Sequence, residues 1–128
     1  MNNMEKKILV IDDDIQFRTM VVEMLERKEY SVYMAEDGEE GLRIWKEVKP
    51  DLVITDIIMP NKEGIETILE LKRENKDVKI IAISGGGRTS AEDNLRSAKL
   101  LGASLTLAKP FENKDLISAV QQLINDSR

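Results

Sequence analysis

Strand-like and helix-like segments alternate along almost the whole chain, and this narrows the possible architectures more than any other feature. Runs of β-branched and apolar residues recur at Lys7 to Ile11, Ser31 to Ala35, Leu52 to Thr55, Lys79 to Ser84 and Leu105 to Ala108. The segments between and after them place apolar residues at helical spacing: Phe17, Val21 and Leu25; Leu42, Trp45 and Val48; Ile65, Ile68 and Leu69; Leu95, Ala98 and Leu101; Leu116, Val120 and Leu123. Such a series calls for a mostly parallel sheet with helices on both faces, joined by right-handed crossovers. The first, third and fourth runs are nearly all apolar, as strands buried on both faces must be, whereas Ser31-Val32-Tyr33-Met34 alternates as an edge strand does. The expected fold is therefore a single-domain (βα)5 doubly wound α/β sheet of flavodoxin-like type, strand order 2-1-3-4-5, spanning residues 1–128.

Punctuation along the chain agrees with this division. Thr89 with Glu92 and Ser90 with Asp93 form overlapping capping-box patterns that suit the start of a fourth helix. Gly102, after Leu100-Leu101, suits the left-handed cap that would end it. Asp37-Gly38, Lys49-Pro50-Asp51 and Pro60 mark further breaks. Asp14 is expected to cap the first helix, and Met24 and Trp45 to belong to the core.

Composition removes several kinds of chemistry. The chain of 128 residues has no cysteine and no histidine, so thiolate chemistry and the commonest general base are both absent. Any chemistry must come from carboxylates, hydroxyls and lysines. The 19 Lys and Arg against 24 Asp and Glu give a net charge of -5 without a basic stripe, which argues against nucleic-acid binding. The polar, charged start from Met1 to Lys7 does not read as a signal peptide, and the apolar runs are too short to span a bilayer. A soluble, cytoplasmic protein that does not engage membranes is the expectation.

In a doubly wound sheet, ligands bind beyond the carboxyl ends of the strands at the switch point between the first and third. Here those ends carry Asp12, Asp13 and Asp14, then Asp56, then Ser84, then Lys109-Pro110. Asp12, Asp13 and Asp56 would converge on one crevice, where their mutual repulsion calls for a divalent cation. An all-oxygen site with open water positions suits magnesium, with manganese as a substitute. Magnesium so held completes its octahedron with waters and phosphate oxygens, which points to a phosphoryl ligand. Lys109 and Ser84 supply the ammonium and hydroxyl that stabilise charge on phosphoryl oxygens. Asp56, ionised at neutral pH, can attack phosphorus without a general base.

Ile8 to Asp13, Asp56 with Met59-Pro60 and Gly64, Ser84-Gly85, and Lys109-Pro110-Phe111 occur in the order that resembles the receiver domain of two-component response regulators, chemotaxis regulators among them. The resemblance implies that Asp56 accepts a phosphoryl group from the phosphohistidine of a sensor histidine kinase or phosphotransfer protein. It implies that Asp13 binds magnesium directly, Asp12 through water, and Ile58 through its backbone carbonyl. Ser84 corresponds to the hydroxyl residue that bonds the phosphoryl oxygen, Gly85 to its small neighbour, and Lys109 to the lysine that pairs with phosphate, followed by a cis peptide bond to Pro110. A downstream protein would read the surface formed by the fourth helix, fifth strand and fifth helix, with the domain a monomer or weak dimer. Such a module is a signalling receiver that catalyses its own phosphorylation and dephosphorylation, not a conventional enzyme.

The chain departs from the pattern in two places. Thr106 stands where the family usually carries the Tyr or Phe that moves with the hydroxyl residue, so the switch pair here is Ser84 and Thr106. Gly85-Gly86-Gly87 also makes the loop after the fourth strand unusually permissive. Two other readings compete with the receiver. A phosphatase resembling the haloacid dehalogenase type would use Asp12 as nucleophile, but needs a late acidic pair where the glycines stand. A flavin-binding electron carrier would need a phosphate-binding turn where Asp12 to Asp14 place negative charge.

Overall fold

The computed structural model describes residues 6–57, 64–85, 96, 98–99 and 102–125. The strands are β1 (Lys7–Ile11), β2 (Ser31–Ala35), β3 (Leu52–Asp56), β4 (Ile80–Gly85) and β5 (Leu105–Lys109). They form one parallel sheet of order β2-β1-β3-β4-β5, the order expected from the alternation of segments together with the apolar first, third and fourth runs and the edge-like second. The helices α1 (Ile15–Arg27), α2 (Gly38–Val48), α3 (Gly64–Glu74) and a C-terminal helix (Asn113–Asn125) cover it. Between β4 and β5, Arg96, Ala98 and Lys99 are helical, while both capping-box patterns lie outside the described residues.

Strand periodicity sorts the core into two halves. Successive side chains of a strand point to opposite faces. Ile8 and Val10, Leu52 and Ile54, and Ile81 and Ile83 pack on one face against Val21 and Leu25 of α1 and Leu116, Val120 and Leu123 of the C-terminal helix. Leu9 and Ile11, Val53, and Ile80 and Ala82 face the other way, against Trp45 of α2, Ile68 and Leu71 of α3, and Ala98. Met24 and Trp45 are buried, as expected. The edge strand β2 is more open, and its Met34 is half exposed.

Local signals explain where the helices begin and end. Asp14 Oδ1 accepts from the amides of Gln16 and Phe17, the N-cap that starts α1. Asp37 does the same for α2 through the amide of Glu40, and Lys49 ends that helix in the left-handed region at φ 53°. Gly102 adopts φ 122°, its amide donating to Lys99 O while that of Ala103 donates to Ala98 O.

Three boundaries differ from the sequence reading. β3 and β5 each run one residue further, to Asp56 and Lys109, and β4 spans Ile80–Gly85 instead of starting at Lys79. The ladder accounts for this, since Asp56 pairs with Ile83 and Lys109 with Gly85. In α3 the buried positions are Gly64, Thr67, Ile68 and Leu71, spaced to face the sheet, so Leu69 falls on the flank at 36% exposure and not in the core stripe. Among the described residues, no helix is long and apolar enough to cross a membrane.

Candidate metal and phosphoryl site

The same alternation that builds the core aims the site. Asp12 continues the row Ile8, Val10; Asp56 continues Leu52, Ile54; and Lys109 continues Leu105, Leu107. All three therefore leave the carboxyl edge of the sheet on the α1 side. Asp12, Asp13 and Asp56 each offer a carboxylate oxygen, and these oxygens lie within 4.8 Å of one another. Lys109 Nζ sits 3.7 Å from Asp12 Oδ2 and 3.7 Å from Asp56 Oδ2.

Burial makes this cluster electrostatically tense. Asp12 is 1% exposed and Asp56 9%, whereas Asp13 is open to solvent. Burial pushes the Asp12 carboxyl up from 3.8 to about 6, and the neighbouring charge of Asp56 adds to the rise; the Asp14 amide and Lys109 oppose it. The Asp14 amide donates to Asp12 Oδ1 at 2.9 Å, while Oδ2 is buried without a hydrogen bond. One buried oxygen lacking a donor, faced by two more carboxylates, fits a hard divalent cation. Asp12, Asp13 and Asp56 thus form an acidic cluster able to hold a metal.

Backbone contacts fix the two key strand ends. Arg18 donates from Nη1 to the carbonyl of Asp12 at 2.6 Å, and the Asp12 amide donates to Ala35 O. Thr55 Oγ1 donates to the carbonyl of Asp56, and the Gly64 amide to that of Ile57 at 2.7 Å. A Cβ on Gly64 would overlap the Asp56 carbonyl oxygen and stand 2.5 Å from Ile57 Cα, so only glycine lets α3 start this close. The Lys109–Pro110 bond is cis, as the resemblance implies.

The profile of the response regulator receiver domain matches residues 8–121. The chain belongs to the receiver family of response regulators. This receiver is 32% identical over 121 residues to the chemotaxis protein CheY of Halobacterium salinarum, covering 94% of this chain and 98% of that protein. It is 30% identical to the sporulation initiation phosphotransferase F of Bacillus subtilis, covering 94% and 95%. A response regulator receiver domain from Clostridium thermocellum superposes with a TM-score of 0.87 at 35% identity, covering 94% of this chain and 95% of that one. Other relatives are transcriptional regulators of which the receiver spans about half the length. Membership of the family displaces the phosphatase and flavin-carrier readings, and the domain is a signalling module rather than a conventional enzyme.

Of the residues picked out in the sequence, the structure brings Asp12, Asp13, Asp56 and Lys109 together. Ser84 ends the row Ile80, Ala82 on the opposite face of the sheet, 1% exposed, with its Oγ lacking a hydrogen bond. Thr106 pairs with Ala82 and, by alternation, shares that face while remaining partly exposed; it does not join the acidic cluster. Ile58, Gly86 and Gly87 lie outside the described residues. The sequence reading missed Phe17, Arg18 and the tight seat of Gly64. In the sequence Phe17 reads only as the first member of the α1 stripe Phe17, Val21 and Leu25.

Proposed function

We propose that this receiver accepts a phosphoryl group on Asp56 from the phosphohistidine of a sensor kinase or phosphotransfer protein, with magnesium held by Asp12, Asp13 and Asp56. The observation that carries the reading is the position of Lys109, whose ammonium stands 3.7 Å from Asp56 Oδ2 beside the acidic cluster. A carboxylate oxygen of Asp56 attacks phosphorus, forming the O–P bond of an aspartyl phosphate as the N–P bond breaks, and the imidazole leaves with the bonding pair. Lys109 offsets the charge that spreads over the phosphoryl oxygens. Bound magnesium supplies the charge that lets an anionic donor approach three carboxylates. The carbonyl of Ile58 is the proposed backbone ligand.

Ser84 is the proposed link to output. A buried hydroxyl without a partner costs about 1–3 kcal/mol. Ser84 stands one residue beyond Ile83, the partner of Asp56 in the ladder, so a phosphoryl group projecting past the sheet edge from Asp56 would offer its Oγ an acceptor across that edge. Ser84 and Thr106 lie on the same face of the sheet, so movement of Ser84 would pass to Thr106 and on to a partner surface made by β5 and the helices beside it. With threonine there, ring reorientation is replaced by displacement of a small side chain.

Incubation with magnesium and acetyl phosphate tests the acceptor reading. The intact protein should gain one phosphoryl group, and neither Asp56→Asn nor protein kept in EDTA should do so. Rapid turnover of many phosphate esters, or an undiminished adduct in Asp56→Asn, would overturn it.

A further inference from the structure

Lys109 touches more than the two carboxylates. Its Nζ lies over the ring of Phe17, 3.9 Å from the centroid. That ring is braced in turn by Phe111, edge-on at 6.0 Å between centroids with an interplanar angle of 87°. The Phe17 amide is held by the Asp14 cap at 3.2 Å, which fixes where the side chain leaves α1. The ammonium therefore rests against three groups from three elements: the acid after β1, the acid ending β3, and an aromatic face from the first turn of α1.

These three holds respond differently to the site's chemistry. The attraction of Asp12 and Asp56 depends on their charge, which a cation in the cluster or a phosphoryl group on Asp56 alters. The quadrupole of an aromatic ring neither titrates nor binds magnesium, so its attraction for the ammonium persists through those changes. A lysine is a point charge on a flexible four-carbon stem, and without such a stop its head is free to follow whichever oxygen is most negative.

We infer that Phe17 is a positioning residue for phosphoryl transfer, its ring face keeping the Lys109 ammonium beside Asp56 whatever the charge state of the acids. The inference rests on the phospho-acceptor reading above. Replacing the ring should loosen Lys109 without touching the metal-binding oxygens. Restoring any phenyl-type face should restore the rate.

Phe17→Leu, which keeps an apolar side chain, and Phe17→Tyr, which keeps the face, provide the test. In the magnesium-free wild type and in Phe17→Tyr, ring current should shift the Lys109 Hε protons upfield, and in Phe17→Leu they should return to the ordinary lysine range. The rate of phosphorylation by acetyl phosphate should fall about fivefold in Phe17→Leu, as expected for loss of one cation–π contact. It should recover to within about twofold in Phe17→Tyr, with magnesium affinity unchanged in both variants by titration of amide signals. Unshifted Hε protons in the wild type overturn the inference, as does a Phe17→Leu rate equal to wild type, or an equal loss in both variants. A wild type that takes up no phosphoryl group removes the acceptor reading itself. A normal wild type with an indifferent Phe17→Leu removes only the role of Phe17.

Discussion

Asp12→Asn is expected to make the magnesium-free receiver more stable at neutral pH, although it removes a partner of Lys109. The Asp12 carboxyl is raised from 3.8 to about 6, by burial first and by Asp56 second. A group held above its ordinary value binds a proton more tightly folded than unfolded, so its cost appears as pH rises. Below about pH 4 both states are protonated and there is no difference. Between about pH 4 and 6 the unfolded chain ionises first and stability falls; above that window the full penalty stands. At 1.36 kcal/mol per pH unit the rise corresponds to about 3 kcal/mol. Asparagine carries no charge, keeps an oxygen for the Asp14 amide and leaves the bond from Arg18 to the backbone carbonyl intact. Losing one ion pair to Lys109 offsets part of the gain, so the net effect at about pH 7 should be 1–3 kcal/mol. Urea unfolding in EDTA, followed through the buried and sole tryptophan, Trp45, would measure it. Wild type should lose stability from about pH 4 to about pH 7 relative to Asp12→Asn. Parallel curves for the two proteins, or a variant less stable at neutral pH, would refute the electrostatic account of the site.

Two further outcomes follow from the same geometry. Ser84→Ala should leave uptake of the phosphoryl group possible and raise the stability of the unphosphorylated protein by about 1 kcal/mol, since it removes a buried hydroxyl that has no partner. Amide spectra of β5 should then respond to phosphorylation much less than in the wild type, and an equal response would exclude Ser84 as the link. Gly64→Ala should destabilise the fold by about 1–3 kcal/mol, because its Cβ meets the backbone of Asp56 and Ile57. Thermal unfolding would show this, together with slower phosphorylation as Asp56 is displaced.

The sheet was legible because burial on both faces leaves a strong trace. Runs such as Ile80 to Ile83 suit central strands, and the more mixed Ser31 to Met34 suits an edge. The acids and Lys109 were legible for a related reason, since charged residues that end apolar runs must gather at one edge of a parallel sheet. Strand ends were read one residue short at Asp56 and Lys109, because a charged side chain looks like a loop residue while its backbone still pairs. Leu69 was misread because Ile65, Ile68 and Leu69 fit a stripe equally well until the seat of Gly64 sets the rotation of α3. Phe17 reads in sequence as one more core position. Its contact with Lys109 depends on which face of the sheet each residue inherits by alternation, and that becomes fixed only once register and topology are known together.

Locating the phosphoryl group most directly tests the central claim. Protein incubated with magnesium and acetyl phosphate, reduced with borohydride and digested, should show reduction of an acyl phosphate at Asp56 and at no other acid. Modification of Asp12 or Asp13 in place of Asp56, or a modification that persists in Asp56→Asn, would contradict the assignment of Asp56 as the acceptor.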